Sequence, residues 1–157
     1  MHSIRLFLES REIFQNLPPS VLDQIATFTE ILDFNDGEMA IPNGIEGKHQ
    51  DLYLLVRGST NISLNYEGLL TQMYCHFKPI ENELYGEISW LLSCERTVQV
   101  FSKGPSRFVK INGEQFFNFL EQNVEVGFQI MRRIAIVLAK RVISLDEQIR
   151  DKTIINF

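Results

Sequence analysis

Seven of the chain's nine glycines fall between Thr29 and Ile111, and that punctuation restricts the fold more than any other feature. They are Gly37, Gly44, Gly47, Gly58, Gly68, Gly86 and Gly104. Between them lie short alternating segments: Ile31, Asp33 and Asn35 alternate with Leu32 and Phe34. Asp51-Leu-Tyr-Leu-Leu-Val-Arg-Gly58 reads as the clearest strand, ending at a glycine turn from which Ser59–Tyr66 returns antiparallel. Arg96–Ser102 and Phe108–Ile111 read as a hairpin around Lys103-Gly104-Pro105. Short strands broken by Gly, Asn and Asp predict an antiparallel sandwich or barrel.

The flanks read as helix. Ile13, Phe14, Leu17, Val21, Leu22, Ile25 and Phe28 recur at spacings near three and four. Pro18-Pro19-Ser20 divides them, because a proline is tolerated in a helix's first turn and Ser can cap one. A helical turn is expected near Glu12–Asn16 and a helix over Ser20–Thr27. After the turn Asn112-Gly113, a short helix is expected to Gln122. From Val124 to about Lys152 a proline-free helix carries Val126, Ile130, Ile134, Val137, Leu138, Val142, Leu145 and Ile149 on an apolar stripe. One side of so long a helix covers the domain, and its other apolar positions suit a partner helix.

Bulk properties exclude several functions. A net charge of −5 argues against a nucleic-acid grip by the body of the chain, which needs a basic face. One small anion site is still compatible with it. No apolar run approaches the ~20 residues that span a bilayer, and the N-terminus lacks a signal peptide's apolar run and cleavage site. A soluble cytoplasmic protein is expected. Cys75 and Cys94 lie outside any CxxC spacing. Free thiols are expected, with a disulfide as the alternative.

No catalytic set emerges. His2, His49 and His76 fall in terminal or loop segments, and no GxSxG, HExxH or phosphate-loop motif occurs. A β-roll enzyme of the cupin kind would need a metal triad, for which His49, His76 and a nearby Glu are the only candidates. The segment Leu84-Tyr-Gly-Glu-Ile-Ser-Trp-Leu-Leu-Ser-Cys-Glu-Arg-Thr-Val-Gln-Val100 is more distinctive. Gly86-Glu87 opens an apolar stretch one or two helical turns long, and Arg96-Thr97 begins a strand. Arg96 would offer a fork of donors to phosphate oxygens, beside free N–H groups at the short helix's start. Glu87 would accept from a sugar hydroxyl. The plainer alternative is a surface Arg96 paired with Glu87 or Glu95. Trp90 reads as a core filler, as do Met73, Tyr74 and Phe77 in the irregular stretch 67–83, which would close over a ligand if it served as a lid.

The chain resembles the cyclic-nucleotide-binding domain family, which includes catabolite-activator-type regulators, kinase regulatory subunits and gated channels. The resemblance rests on Ile13-Phe-Gln-Asn-Leu17-Pro-Pro, Phe34-Asn-Asp-Gly37 through Gly44, Asp51–Gly58, the cassette-like segment Leu84–Val100 and the long last helix, in that order. It implies one mainly β domain over 1–157: a double-stranded β-helix (a jelly-roll-like β-roll) at 29–111 containing a phosphate-binding cassette at 84–100. Helices at 1–28 precede it, and C-terminal helices at 113–152 follow.

The resemblance also implies a ligand, cyclic AMP or cyclic GMP, and no cofactor or metal. Arg96 would pair with the cyclic phosphate and Glu87 with the ribose 2′-hydroxyl. Gly86, Ile88, Ser89 and Thr97 would line the cassette. Ser89 and Val98 stand where the family usually has Ala. In the long helix, Arg141 or Ser144 would meet the base. A homodimer through Val126–Ile149 is expected, with no membrane contact and no direct nucleic-acid contact. Nothing after the long helix, up to Phe157, reads as a helix-turn-helix. The implied role is therefore a standalone sensor or the sensor portion of a transcription regulator. A ligand-free interaction module on the same fold is the alternative.

Overall fold

The computed structural model describes residues 2–43, 50–64, 74–75, 84–96 and 98–154. The elements are α1 (His2–Glu9), a 3-10 turn (Glu12–Phe14), α2 (Pro19–Ala26), β1 (Thr29–Phe34), β2 (Met39–Ile41) and β3 (Leu52–Leu64). There follow β4 (Tyr74–Cys75), β5 (Leu84–Tyr85), α3 (Glu87–Leu92), β6 (Val98–Ile111), α4 (Gly113–Gln122) and α5 (Val124–Ile154). Helix α1 falls where sequence periodicity gave no signal. It is short, and it docks by Leu8, with Ile4 and Phe7 against the same core.

All described strands join one antiparallel sheet in the order β1-β6-β3-β4, with β2 on β6 and β5 on β3. Two expected hairpins are absent. Strand β3 continues through Gly58 to Leu64, and β6 continues through Gly104-Pro105, each pairing with the other from Leu52↔Ile111 to Leu64↔Val98. The two glycine breaks are opposed bends in one long ribbon. Arg57 pairs with Arg107 but Ser59 with Lys103, so β6 bulges opposite Gly58. Gly58 has φ +98°, and a Cβ there would lie 2.7 Å from the Pro105 carbonyl oxygen. No side chain fits there without moving the backbone. Sequence marks both as turns because a bend and a reversal use the same residues.

Bending divides the core in two. Leu52, Leu54, Leu84, Val109 and Ile111 face the helices, joining Phe14, Leu22, Trp90, Phe116, Ile130 and Ile134. Tyr53, Tyr85, Val100, Phe108, Ala40 and Ile41 fill the inside of the roll. This explains the uninterrupted apolar run in β3: Leu52, Tyr53 and Leu54 are all buried because both faces of the strand are covered.

Helices α4 and α5 pack with the N-terminal helices on the helix-facing side of the sheet. The Asn112 side chain caps α4 by accepting from the Gln115 N–H at 2.9 Å. Gly127 lets the start of α5 close on α4, since a Cβ there would come within 2.7 Å of the Leu120 carbonyl oxygen. No described helix is long and apolar enough to cross a membrane.

Candidate functional site

The cassette begins where β5 leaves the sheet. Gly86 has φ +86°, and a Cβ on it would meet the Asp51 carbonyl oxygen at 2.8 Å and the Arg96 guanidinium nitrogens at 3.6 and 3.7 Å. Glycine is therefore required both for the left-handed turn and for the close approach. One helical turn follows, with the Trp90 N–H on the Gly86 carbonyl at 3.0 Å and the Ser89 hydroxyl on the same oxygen at 3.0 Å. Trp90 anchors that helix. It is buried, its indole N–H donates to the Gly113 carbonyl at 2.9 Å, and its ring lies 5.6 Å from that of Phe116. It is the core filler expected from sequence.

Arg96 is not a surface residue. It is 7% exposed, its Nη2 donates to the Asp51 carbonyl at 2.6 Å, and its guanidinium lies over the Tyr53 ring, 5.4 Å from the centroid. No carboxylate among the described residues pairs with it. Its buried Nε has no hydrogen-bond partner among the described residues. The expected alternative of a surface Arg96 paired with Glu87 or Glu95 is thus overturned. Asp51, just before β3, is itself fixed: its carboxylate accepts from the Gly113 N–H at 3.0 Å and pairs with Lys110 at 3.3 Å.

Glu87 is also buried, at 3% exposure, but it has a partner. Arg141 of α5 forms an ion pair with the Glu87 carboxylate and also donates to the Leu84 carbonyl. Burial raises the Glu87 pKa, and the Arg141 charge opposes that rise. The short segment 84–87 is therefore met by two arginines, Arg141 at Leu84 and Glu87 and Arg96 beside Gly86. The arrangement can hold a single anion on Arg96, with a carboxylate close by in the chain.

No family model and no curated protein matches this sequence. Solved structures do. A cyclic nucleotide-binding domain from Methylobacillus flagellatus superposes with TM-score 0.72 at 14% identity, covering 96% of this chain and 83% of that one. The fold is that of a cyclic-nucleotide-binding domain. The sensor domain of the transcriptional regulator DNR from Pseudomonas aeruginosa gives 0.64 at 16% identity, covering 87% of this chain and 94% of that one. The Thermus thermophilus catabolite activator protein gives 0.63 at 20% identity over 88% of this chain, which spans 61% of that longer one.

Within this cyclic-nucleotide-binding fold, the remaining expected site residues fall as follows. Ser89 is buried and Ile88 is 55% exposed. Thr97 lies outside the described residues, as do His49, His76, Met73 and Phe77. Ser144 is half-buried on α5, three positions beyond Arg141. Arg141, expected beside a base, meets the Glu87 carboxylate and the Leu84 carbonyl. The Asp51 carbonyl, the Tyr53 ring and the Leu84 carbonyl belong to the site but carried no sequence signal of their own. The nearest hint was the position of Asp51 and Tyr53 at the head of the clearest strand. Among the described residues no cluster of His, Cys, Asp and Glu suits a metal, and Cys94 is a free, exposed thiol.

Proposed function

We propose that this chain is a cytoplasmic cyclic-nucleotide sensor, regulatory rather than catalytic, that takes cyclic AMP or cyclic GMP at Arg96. One observation carries the reading: a guanidinium that is 7% exposed, with no carboxylate partner and an unsatisfied Nε among the described residues. Burying a charge without a counter-charge is costly, so a site that keeps one is prepared for an anion. A cyclic phosphate carries a single negative charge and offers oxygens to the fork of Arg96. Glu87, behind Gly86, is the acceptor for the sugar hydroxyl. Ile88, Ser89 and Thr97 border the ligand. Ser144 and Arg141 approach it from α5.

Binding shifts the population between two positions of α5, which requires that the ligand favour one of them. Helix α5 also serves as a homodimer seam. Phe128, Met131, Ala135, Leu138 and Val142 recur at intervals of three and four. Phe128 and Val142 are 70% and 57% exposed. The chain acts as a standalone sensor or as the sensor portion of a longer transcription regulator, as the likeness to the DNR sensor domain suggests.

The Arg141–Glu87 pair supports a second reading. A site whose carboxylate is already neutralised suits a ligand-free module that binds other proteins. Calorimetry with both cyclic nucleotides separates the two. Micromolar binding that is lost in Arg96→Ala is expected for the sensor; no heat from either nucleotide overturns it in favour of the interaction module.

A further inference from the structure

Glu87 is engaged from 54 positions away in sequence. Arg141 spends two different nitrogens there: Nη1 on the Glu87 carboxylate and Nη2 on the Leu84 carbonyl. A planar guanidinium held at both tips is fixed in orientation, not merely attracted. It is also placed late in α5. Val137 is the last described hydrophobic side chain of that helix to be buried, whereas Val142 and Ile143, just beyond Arg141, are 57% and 59% exposed. Beyond Val137, the side-chain ties of α5 among the described residues include Arg141 and its neighbour Lys140, whose exposed pair with Glu12 spans 2.8 Å. An exposed lysine pair contributes little.

We infer that Arg141 is a built-in competitor for the hydroxyl arm of the site, and so determines both its specificity and its output. This rests on the sensor reading above. A ligand that engages only Arg96 leaves Arg141 on Glu87 and leaves α5 in place. A ligand whose sugar hydroxyl donates to Glu87 displaces Arg141 and releases the last turns of the helix. Because a neutral hydroxyl replaces a charged donor, the hydroxyl adds little net affinity while Arg141 is present.

The test compares cyclic AMP with its 2′-deoxy analogue on the full chain by calorimetry. The two ligands carry the same charge, so the loss of a nearby cation affects both equally and cancels in their affinity ratio. The ratio is expected to stay within about twofold for the native chain and to rise to about tenfold or more in Arg141→Ala, where Glu87 is free to accept. Arg141→Lys keeps a cation beside the buried carboxylate, and with it the fold. One ammonium cannot hold both acceptors, so an intermediate ratio is expected. Amide hydrogen exchange over residues 142–150 of the native chain should quicken under saturating cyclic AMP and not under the deoxy ligand. Equal ratios in all three proteins overturn this inference alone, as does a tenfold ratio already present in the native chain. Absence of binding by every protein overturns it together with the sensor reading.

Discussion

Arg96 donates to the Asp51 carbonyl oxygen at 2.6 Å, joining the end of the cassette to the start of β3 across 45 positions of sequence. That single bond fixes where the guanidinium sits, yet it uses only part of the donor fork and leaves the charge without a carboxylate among the described residues. A residue held for folding alone would be expected to have its counter-charge.

Replacing Arg96 therefore separates function from stability. Arg96→Met is expected to leave the ligand-free melting temperature unchanged or raise it, because a buried uncompensated charge is replaced by an apolar chain of similar length. Arg96→Lys should lose phosphate affinity by about one order of magnitude or more, since an ammonium lacks the fork. Scanning calorimetry reads the first and ligand titration the second. A large drop in the melting temperature of Arg96→Met would mark the side chain as structural.

Gly86→Ala should destabilise the fold by about 1–3 kcal/mol, combining a left-handed residue with a crowded Cβ. Gly37→Ala provides the control. Its φ is +78°, but no atom lies within 4 Å of an added Cβ, so it should bear only the conformational part. Urea unfolding of the two variants, compared with the native chain, checks the ranking.

Glu87 gives the stability curve a recognisable slope. Its pKa is raised in the folded state, first by burial, with Arg141 opposing. Above the ordinary value of 4.5 the folded chain then binds more protons than the unfolded one, and stability falls as pH rises through the window up to the raised folded value. Asp33 and Glu38 have lowered values, from hydrogen bonds to Arg107 and Asn35 respectively, and slope the other way at lower pH. Subtracting the Glu87→Gln curve from the native curve isolates the Glu87 part. The difference should grow in favour of Glu87→Gln as pH rises from 4.5. A flat difference between pH ~4 and ~8 would contradict the raised value.

Trp90 is the chain's single tryptophan and is buried. Its emission should be blue-shifted in the native chain and should move if ligand shifts the cassette against α4. Trp90→Phe loses the bond to the Gly113 carbonyl, leaving a buried acceptor, and should cost about 1–3 kcal/mol. Fluorescence and thermal melts read both effects.

Phe128→Asp and Val142→Asp should convert a dimer into a monomer in light scattering without loss of helix content, because both side chains are exposed in the single chain. A native chain that is already monomeric at high concentration would refute the seam.

Local chemistry alone determined much of this protein. The helix periodicity placed α2, α4 and α5, the proline pair started α2, and Asn112 capped α4. Each is a contact between near neighbours, or a backbone preference of the residue itself, so it is written in short stretches of sequence. Tertiary structure decided the rest. Gly58 and Gly104 look like reversals until β3 and β6 are seen to pair straight through them, because a glycine specifies a permitted torsion and not the path of the chain beyond it. Arg141 looks like a solvated helix residue until the packing of α5 brings it to Glu87. Which charges end up neutralised, and which stays bare, depends on distances between elements far apart in the chain, and those are set only when both halves of the core close.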